Sequence, residues 1–391
     1  MTFTLVALSI FGIAAPFVFY PIALWLRARI APSPIAIGDH TPGVDLIICA
    51  HNEAESISAK LENALQLDYP RDRLKIWVAS DGSTDGTVEI ARRFENQGVL
   101  VLDLPRRGKA HALAAVAEAS RSEVMAFSDA NSQWEEGALR ALVAPLADAE
   151  VGGVAGDQRY FDSTTSIGER SYWSFDRRLK NWQARAGSAI SATGAIYAIR
   201  RILFDAPPPD ATDDFMISTG VIAKGKRLAF AQDAIAFEEP AAEIGGEFRR
   251  KVRITTRGLR GIVYRRGLLD PRKTGAYAFE LLVHKFWRRM TWLPVLILVL
   301  LMPACWRSGG ALSLLSFGVA SWLILAVAGL SLPVLQRAKP IAASAYILMV
   351  NAACAVATFN AIRGRRVALW QNERESELAT HPPPPPSDGL P

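Results

Sequence analysis

The chain has 391 residues, of which 50% are hydrophobic and 21% charged, and a formal net charge of +6. That length holds one globular domain of about 250 residues beside membrane-seeking segments. The basic excess gathers between residues 249 and 289, next to an apolar run, where anionic headgroups and nucleotide phosphates attract it, so no nucleic acid is expected as a partner. Cys49, Cys305 and Cys354 sit in apolar runs without CxxC spacing, which excludes a zinc motif and argues against disulfides.

Apolar runs cover residues 3–26, 291–306, 310–335 and 341–362. A spanning helix needs roughly 20 apolar residues, which three of the four supply. The first run has no Lys or Arg before it and is followed by Arg27 and Arg29, the reverse of a secretory signal, so it reads as an uncleaved anchor. Positive residues beside a span stay in the cytoplasm, which puts the following domain there. Near the C-terminus, Arg337/Lys339 and Arg363/Arg365/Arg366 compete for that side across one span. The run 291–306 is short and carries Pro294 and Pro303, so two or three C-terminal spans are expected.

From residue 44, β-rich runs alternate with helical patterns: VDLIIC, ESISAKLENALQL, LKIWVAS, TVEIARRFEN, VLVLDL, KAHALAAVAEAS, VMAFSD. This is the βαβ rhythm of an α/β domain with a mostly parallel sheet. Ligands of such sheets bind beyond the carboxyl ends of the strands. Those ends are polar here: Ala50-His51-Asn52-Glu53, Ser80-Asp81-Gly82-Ser83-Thr84-Asp85-Gly86, and Ser128-Asp129-Ala130-Asn131. No G-x-G-x-x-G follows the first strand, which disfavours a dinucleotide-dependent dehydrogenase.

A nucleotide-sugar presents a base, a ribose, a diphosphate and an activated anomeric carbon. A strand-end carboxylate accepts hydrogen bonds from base and ribose, a role that suits Asp81 with Glu53 beside it. A diphosphate leaves readily once its developing charge is neutralised, which a hard divalent cation on oxygen ligands achieves. Asp129 is the best ligand candidate, and Lys109 at the head of a helix adds charge near the phosphates. An acceptor hydroxyl must lose a proton as it attacks, and the adjacent acids Asp213 and Asp214 offer a general base. Thr193 and Gly194, in the small-residue run SATGA, allow close backbone approach to an acceptor.

DLIICAHNEAESI, VASDGSTDGT, RRGKAHAL and FSDAN, in that order, resemble the nucleotide-sugar-binding motifs of the family-2 glycosyltransferases. SATGAIYAIRR, ATDDF and EFRRKVRITTRG continue the resemblance to about residue 290. The flanking apolar segments are similar to those of the membrane-bound synthase branch, which includes cellulose, hyaluronan and poly-N-acetylglucosamine synthases. The resemblance implies a GT-A fold, with an anchor at 1–30, the transferase domain at 40–270, an interfacial segment at 271–290, a membrane region at 291–362 and a disordered proline-rich tail at 363–391. It also implies an inverting transfer from a UDP-sugar to a lipid-linked or polysaccharide acceptor at the cytoplasmic face of a bacterial inner membrane, with Mg²⁺ or Mn²⁺. Asp214 takes the place of the family's catalytic acid. Two departures stand out. Asp129-Ala130-Asn131 replaces Asp-x-Asp, leaving Asp129 and Asn131 as metal ligands, and Arg250-Lys251-Val252-Arg253-Ile254 lacks the Gln and Trp of Gln-x-x-Arg-Trp. Arg250 and Arg253 remain as grips for the diphosphate. A processive, exporting synthase is the alternative within the class, and an inactive nucleotide-binding scaffold the alternative outside it.

Overall fold

The computed structural model describes residues 2–160, 167–238 and 244–365, with the backbone alone for 167–173, 244, 245 and 333. Most of the tail expected at 363–391 lies outside the described residues, as do the side chains of Tyr172 and Trp173.

Among the described residues, eight strands form one sheet in the order β3-β2-β1-β4-β7-β6-β8-β5. They are β1 (Val44–Ala50), β2 (Leu74–Asp81), β3 (Val99–Leu104), β4 (Val124–Asp129), β5 (Gln133–Trp134), β6 (Val151–Tyr160), β7 (Tyr197–Arg200) and β8 (Arg227–Glu238). β1, β2, β3 and β4 pair in parallel, as do β6 and β8, whereas β7 runs antiparallel to β4 and β6. β1 is buried at every residue because both sheet faces are covered. Val44, Leu46, Ile48 and Ala50 point into a core with Ile57, Leu61, Leu139 and Leu142, while Ile47 and Cys49 point into a second core with Leu113, Val116, Ile217 and Val221. The one charge in this strand, Asp45, accepts from Trp77 Nε1 at 3.1 Å, from the Ser120 hydroxyl and from Ser122 N at 3.3 Å. A buried carboxylate is tolerated because it has those donors.

Two features of this topology create the site. β1 lies between β2 and β4, with Ala50 level with Ser80 and Cys49 level with Asp129, so three polar turns leave the sheet at one edge. The strand order reverses there, which opens a crevice. β7 enters the sheet at the edge where the parallel strands leave it, Tyr197 pairing with Phe127. The segment just before β7, including Thr193 and Gly194, is thereby brought beside the turn after β4.

Among the described residues, three helices are long and apolar enough to cross a membrane: Thr2–Ile30, Gly310–Ser331 and Lys339–Ile362. Ala276–Met290 and Trp292–Ser308 meet at a 44° bend and make a fourth if the pair is one span. Trp287 Nε1 donates to Gly12 O at 2.7 Å, joining the bend to the first helix. Phe175 and Trp182, on the helix Ile167–Ala186, pack against Leu24, Ala28 and Leu179.

Candidate active site

The first two turns are built to hold each other. Asn52 has a left-handed backbone, φ 53°, and its Oδ1 accepts from Thr84 N at 2.8 Å. Glu53 N donates to Thr87 Oγ1 at 2.8 Å and Ala54 N to Asp85 Oδ2 at 3.0 Å. Ser83 Oγ accepts from Asn52 N at 3.2 Å. Ser83, Thr84 and Asp85 therefore make turns, which is their ordinary use. Glu53 Oε2 accepts from Ser56 Oγ at 2.6 Å.

Asp81 is fully buried, and its carboxylate accepts from Arg107 N and Gly108 N at 2.8 Å, with Arg106 Nη1 at 3.0 Å from Oδ2. Gly82 lies against this turn with φ 65°, and a Cβ there would meet Arg106 N at 2.8 Å. In this arrangement Asp81 fixes the Arg106–Gly108 turn, and the turn aims Lys109 at the head of the helix Lys109–Ala119.

Lys109 Nζ joins two carboxylates, Asp129 Oδ1 at 2.6 Å and Asp213 Oδ2 at 3.1 Å. Burial works against its charge, but Asp129 and Asp213 outweigh burial and hold the ammonium well above the usual lysine range. Asp213 and Asp214 open the helix Asp213–Ala223, where the helix dipole favours negative charge. Their environments differ. Burial pushes Asp213 up, but Lys109 and Arg257 outweigh it and hold the carboxyl below its ordinary range. Burial, reinforced by the charge of Asp213, pushes Asp214 up to about 6. Asp214 Oδ1 accepts from Phe215 N at 2.6 Å. Paired carboxyls driven apart in this way are suited to distinct roles, one held ionised and one exchanging a proton near neutrality.

Gly194 meets Asp129 rather than open crevice: a Cβ at 194 would stand 2.5 Å from Asp129 Oδ2. Gly194→Ala should therefore displace the Asp129 carboxylate, and we expect the KM for the donor to rise about tenfold or more in steady-state kinetics while the fold is retained. An unchanged KM would show that Asp129 does not engage the donor. Beside this glycine, Thr193 Oγ1 and the Tyr197 hydroxyl are buried without a hydrogen-bond partner among the described residues. Tyr197 stacks on Phe127 with ring centroids 4.5 Å apart.

Two buried ionisable groups behind the Asp129 turn, Lys60 and Glu238, lie outside the sequence motifs. Lys60, 1% exposed, donates from Nζ to Ser132 O at 2.6 Å and lies over the Trp134 ring. Ser132 Oγ donates to Glu238 Oε1 at 2.6 Å, and Gln158 Nε2 donates to Glu238 Oε2 at 2.5 Å. Lys60 had a legible signal: with Ile57, Leu61 and Ala64 it completes the i, i+3, i+4, i+7 stripe of the helix Ile57–Leu65. Burial lowers it to about 7 from an ordinary 10.5. A lysine held below its unfolded value destabilises the fold fully below about 7, and the penalty fades as pH rises towards 10.5. Lys60→Met should thus raise the melting temperature most at pH 6 and least at pH 9, which thermal denaturation checks.

Among the described residues no group of three or more His, Cys, Asp and Glu is close enough to hold a metal ion. Asp129 and the exposed Asn131 nonetheless present two hard oxygen donors on one turn. That suits a cation which takes one or two protein ligands and completes its shell with substrate phosphates and water. Arg250 and Arg253 lie on the helix Ile244–Tyr264, where Arg250 Nε pairs with Glu247 Oε2 at 3.1 Å and lies within electrostatic reach of Glu238. Contacts thus link Asp81, through the Arg106–Gly108 turn, to Lys109, Asp129, Gly194, Asp213 and Asp214 at one sheet edge. Glu53 belongs to the first turn at that edge.

Residues 45–206 match the family described as Glycosyl transferase family 2. The chain is 27% identical over 214 residues to the probable glycosyltransferase YdaM of Bacillus subtilis, covering 51% of each. It is 25% identical over 266 residues to a poly-beta-1,6-N-acetyl-D-glucosamine synthase of Staphylococcus epidermidis, covering 65% of this chain and 63% of the relative. The chain thus spans about half to two thirds of the length of these two relatives. Over 93% of its length it superposes on the whole of a mannosyltransferase from Pyrobaculum calidifontis, solved with GDP-Man and Mn²⁺, with a TM-score of 0.71 and 23% identity. The fold is that of the GT-A glycosyltransferases.

Proposed function

We propose that this chain, whose residues 45–206 match glycosyl transferase family 2, is an inverting glycosyltransferase that uses Asp214 as its general base. The observation that carries the reading is the line of charges Asp129, Lys109 and Asp213 ending at Asp214, whose carboxyl is raised to about 6. The donor is a nucleotide-sugar, read as a UDP-sugar, with its diphosphate at the Asp129 turn. Arg250 and Arg253 approach the diphosphate from the helix that follows β8, Glu53 and the turn held by Asp81 flank the nucleotide, and Thr193 and Gly194 border the acceptor. Asp129 and Asn131 would hold a divalent cation, Mg²⁺ or Mn²⁺. When bound, the cation neutralises charge on the departing diphosphate.

Asp213 stays ionised beside Lys109, so it keeps the ammonium in place and raises the proton affinity of its neighbour. Asp214 accepts the proton of the acceptor hydroxyl as the oxygen attacks the anomeric carbon and the bond to the nucleoside diphosphate breaks. One displacement inverts that carbon. The acceptor is read as a lipid-linked saccharide or a growing polysaccharide, because the site is tied to apolar helices. The membrane is read as a bacterial inner membrane with the domain on the cytoplasmic side. Arg27 and Arg29 directly after the first apolar run support that orientation.

The test uses purified full-length protein in lipid, radiolabelled UDP- and GDP-sugars, and a membrane lipid extract as acceptor source. Label entering the organic phase, with inverted anomeric configuration by NMR, supports single transfer to a lipid-linked acceptor. Label in a high-molecular-weight precipitate points to the processive synthase instead. Retained configuration contradicts Asp214 as the base of a single displacement.

A further inference from the structure

A cavity of about 280 Å³ lies at the opposite end of the helix Asp213–Ala223 from the two catalytic acids. At 1.5 Å per residue that places it roughly 15 Å from Asp213. Its lining includes Arg27, Lys226, Arg227 and Lys273, with one carboxylate, Glu280. Glu280 is already paired with Arg27. Arg227 braces the wall, donating to Gly187 O and Ser33 O at 2.6 Å each. Of the other two cations, Lys226 reaches Glu150 at 3.3 Å and Lys273 stands exposed.

The depth of this cavity follows from the first helix. About 20 residues of Thr2–Ile30 suffice for a hydrocarbon core of about 30 Å, so its last turns emerge at headgroup level. Trp25, with Arg29 at 5.0 Å over its ring, is an interfacial pair of the expected kind. The two helices that contribute Arg27 and Glu280 also expose Leu26, Ile30, Phe279 and Leu282, at 42%, 80%, 61% and 41%. Cations lining a cavity whose contributing helices also carry exposed apolar side chains match one ligand chemistry, a phosphate attached to acyl chains.

We propose that this cavity binds the phosphate of an anionic phospholipid headgroup, with the acyl chains lying along those apolar side chains. The site is separate from the catalytic crevice and rests on the membrane placement read above. It docks the domain against the leaflet at the junction of the first helix and Ala276–Met290.

The experiment embeds the full-length chain in nanodiscs of phosphatidylcholine alone or mixed with phosphatidylglycerol, then counts lipids retained in detergent by native mass spectrometry. The wild type should keep one phosphatidylglycerol from the mixed discs. The double variant Lys226→Ser, Lys273→Ser, altered at one half-buried and one exposed position, should keep it about tenfold less often, the cost of two solvent-screened ion pairs. Equal retention by wild type and variant overturns the proposal. So does displacement of the lipid by millimolar inorganic phosphate, which would make the cavity a site for soluble phosphate. Failure of the wild type to enter either disc would instead contradict the membrane placement itself.

Discussion

Asp214→Asn should lower kcat/KM by about 100- to 10,000-fold, the range of a lost general base, while leaving donor binding in place. In the wild type the carboxyl must be ionised to accept a proton, so kcat/KM should rise with pH and level off above about 6. The variant should lose that limb. The same raised value makes the residue a liability to the fold. Its proton affinity exceeds the ordinary 3.8, so the native state holds the proton longer than the unfolded chain. The destabilisation therefore begins as pH rises past 3.8 and is complete above about 6. The variant should accordingly melt higher than wild type at pH 7, and the two should converge below pH 4. An inactive variant that also melts lower would signal a structural role instead.

Lys109→Met carries the second large effect. Removing one partner of a buried ion pair costs about 3–5 kcal/mol, because the partner charges stay behind. Here two carboxylates would be left facing each other, and the side chains of Lys109, Asp129 and Asp213 are 15%, 32% and 16% exposed, so solvent screens them little. We expect a loss near the lower end, about 3 kcal/mol at pH 7, measured by denaturant unfolding in detergent. The sign with pH is fixed by Asp213, whose carboxyl Lys109 holds below 3.8. That contribution is present above 3.8 and is lost as pH falls through the depressed value, so wild type and variant should approach each other in acid. Activity should fall with stability, because the variant leaves the Asp129 turn without the cation that holds it.

Much of this arrangement was readable from the chain. VDLIICA reads as a strand because it is apolar without interruption, and burial on both faces follows from helices packed on either side. The acids at Asp81 and Asp129 could be assigned to one edge because parallel strands end together. β7 was not readable in the same way: YAIR is four residues long and enters antiparallel, so no periodicity reports its place between β4 and β6. Its placement is what sets Gly194 against Asp129, 65 residues earlier, and no local pattern encodes such a contact. The double pairing of Lys109 was hidden for the same reason. Asp81 shows the other limit: its residue type said carboxylate at a strand end, but not that the backbone of residues 107 and 108 would claim it. Lys60 broke a visible rule, a lysine within an apolar stripe, and such breaks mark polar work inside the fold.

The most direct test of sugar transfer at this crevice is release of nucleoside diphosphate by the purified full-length chain in lipid. Several UDP- and GDP-sugars would be offered with Mn²⁺, with Mg²⁺ or with EDTA, beside Asp214→Asn in the same preparation. The account predicts release from one donor, dependent on a divalent cation and lost in the variant. Nucleotide binding without release from any donor, repeated with membrane lipid extract, would contradict it and leave a nucleotide-binding scaffold.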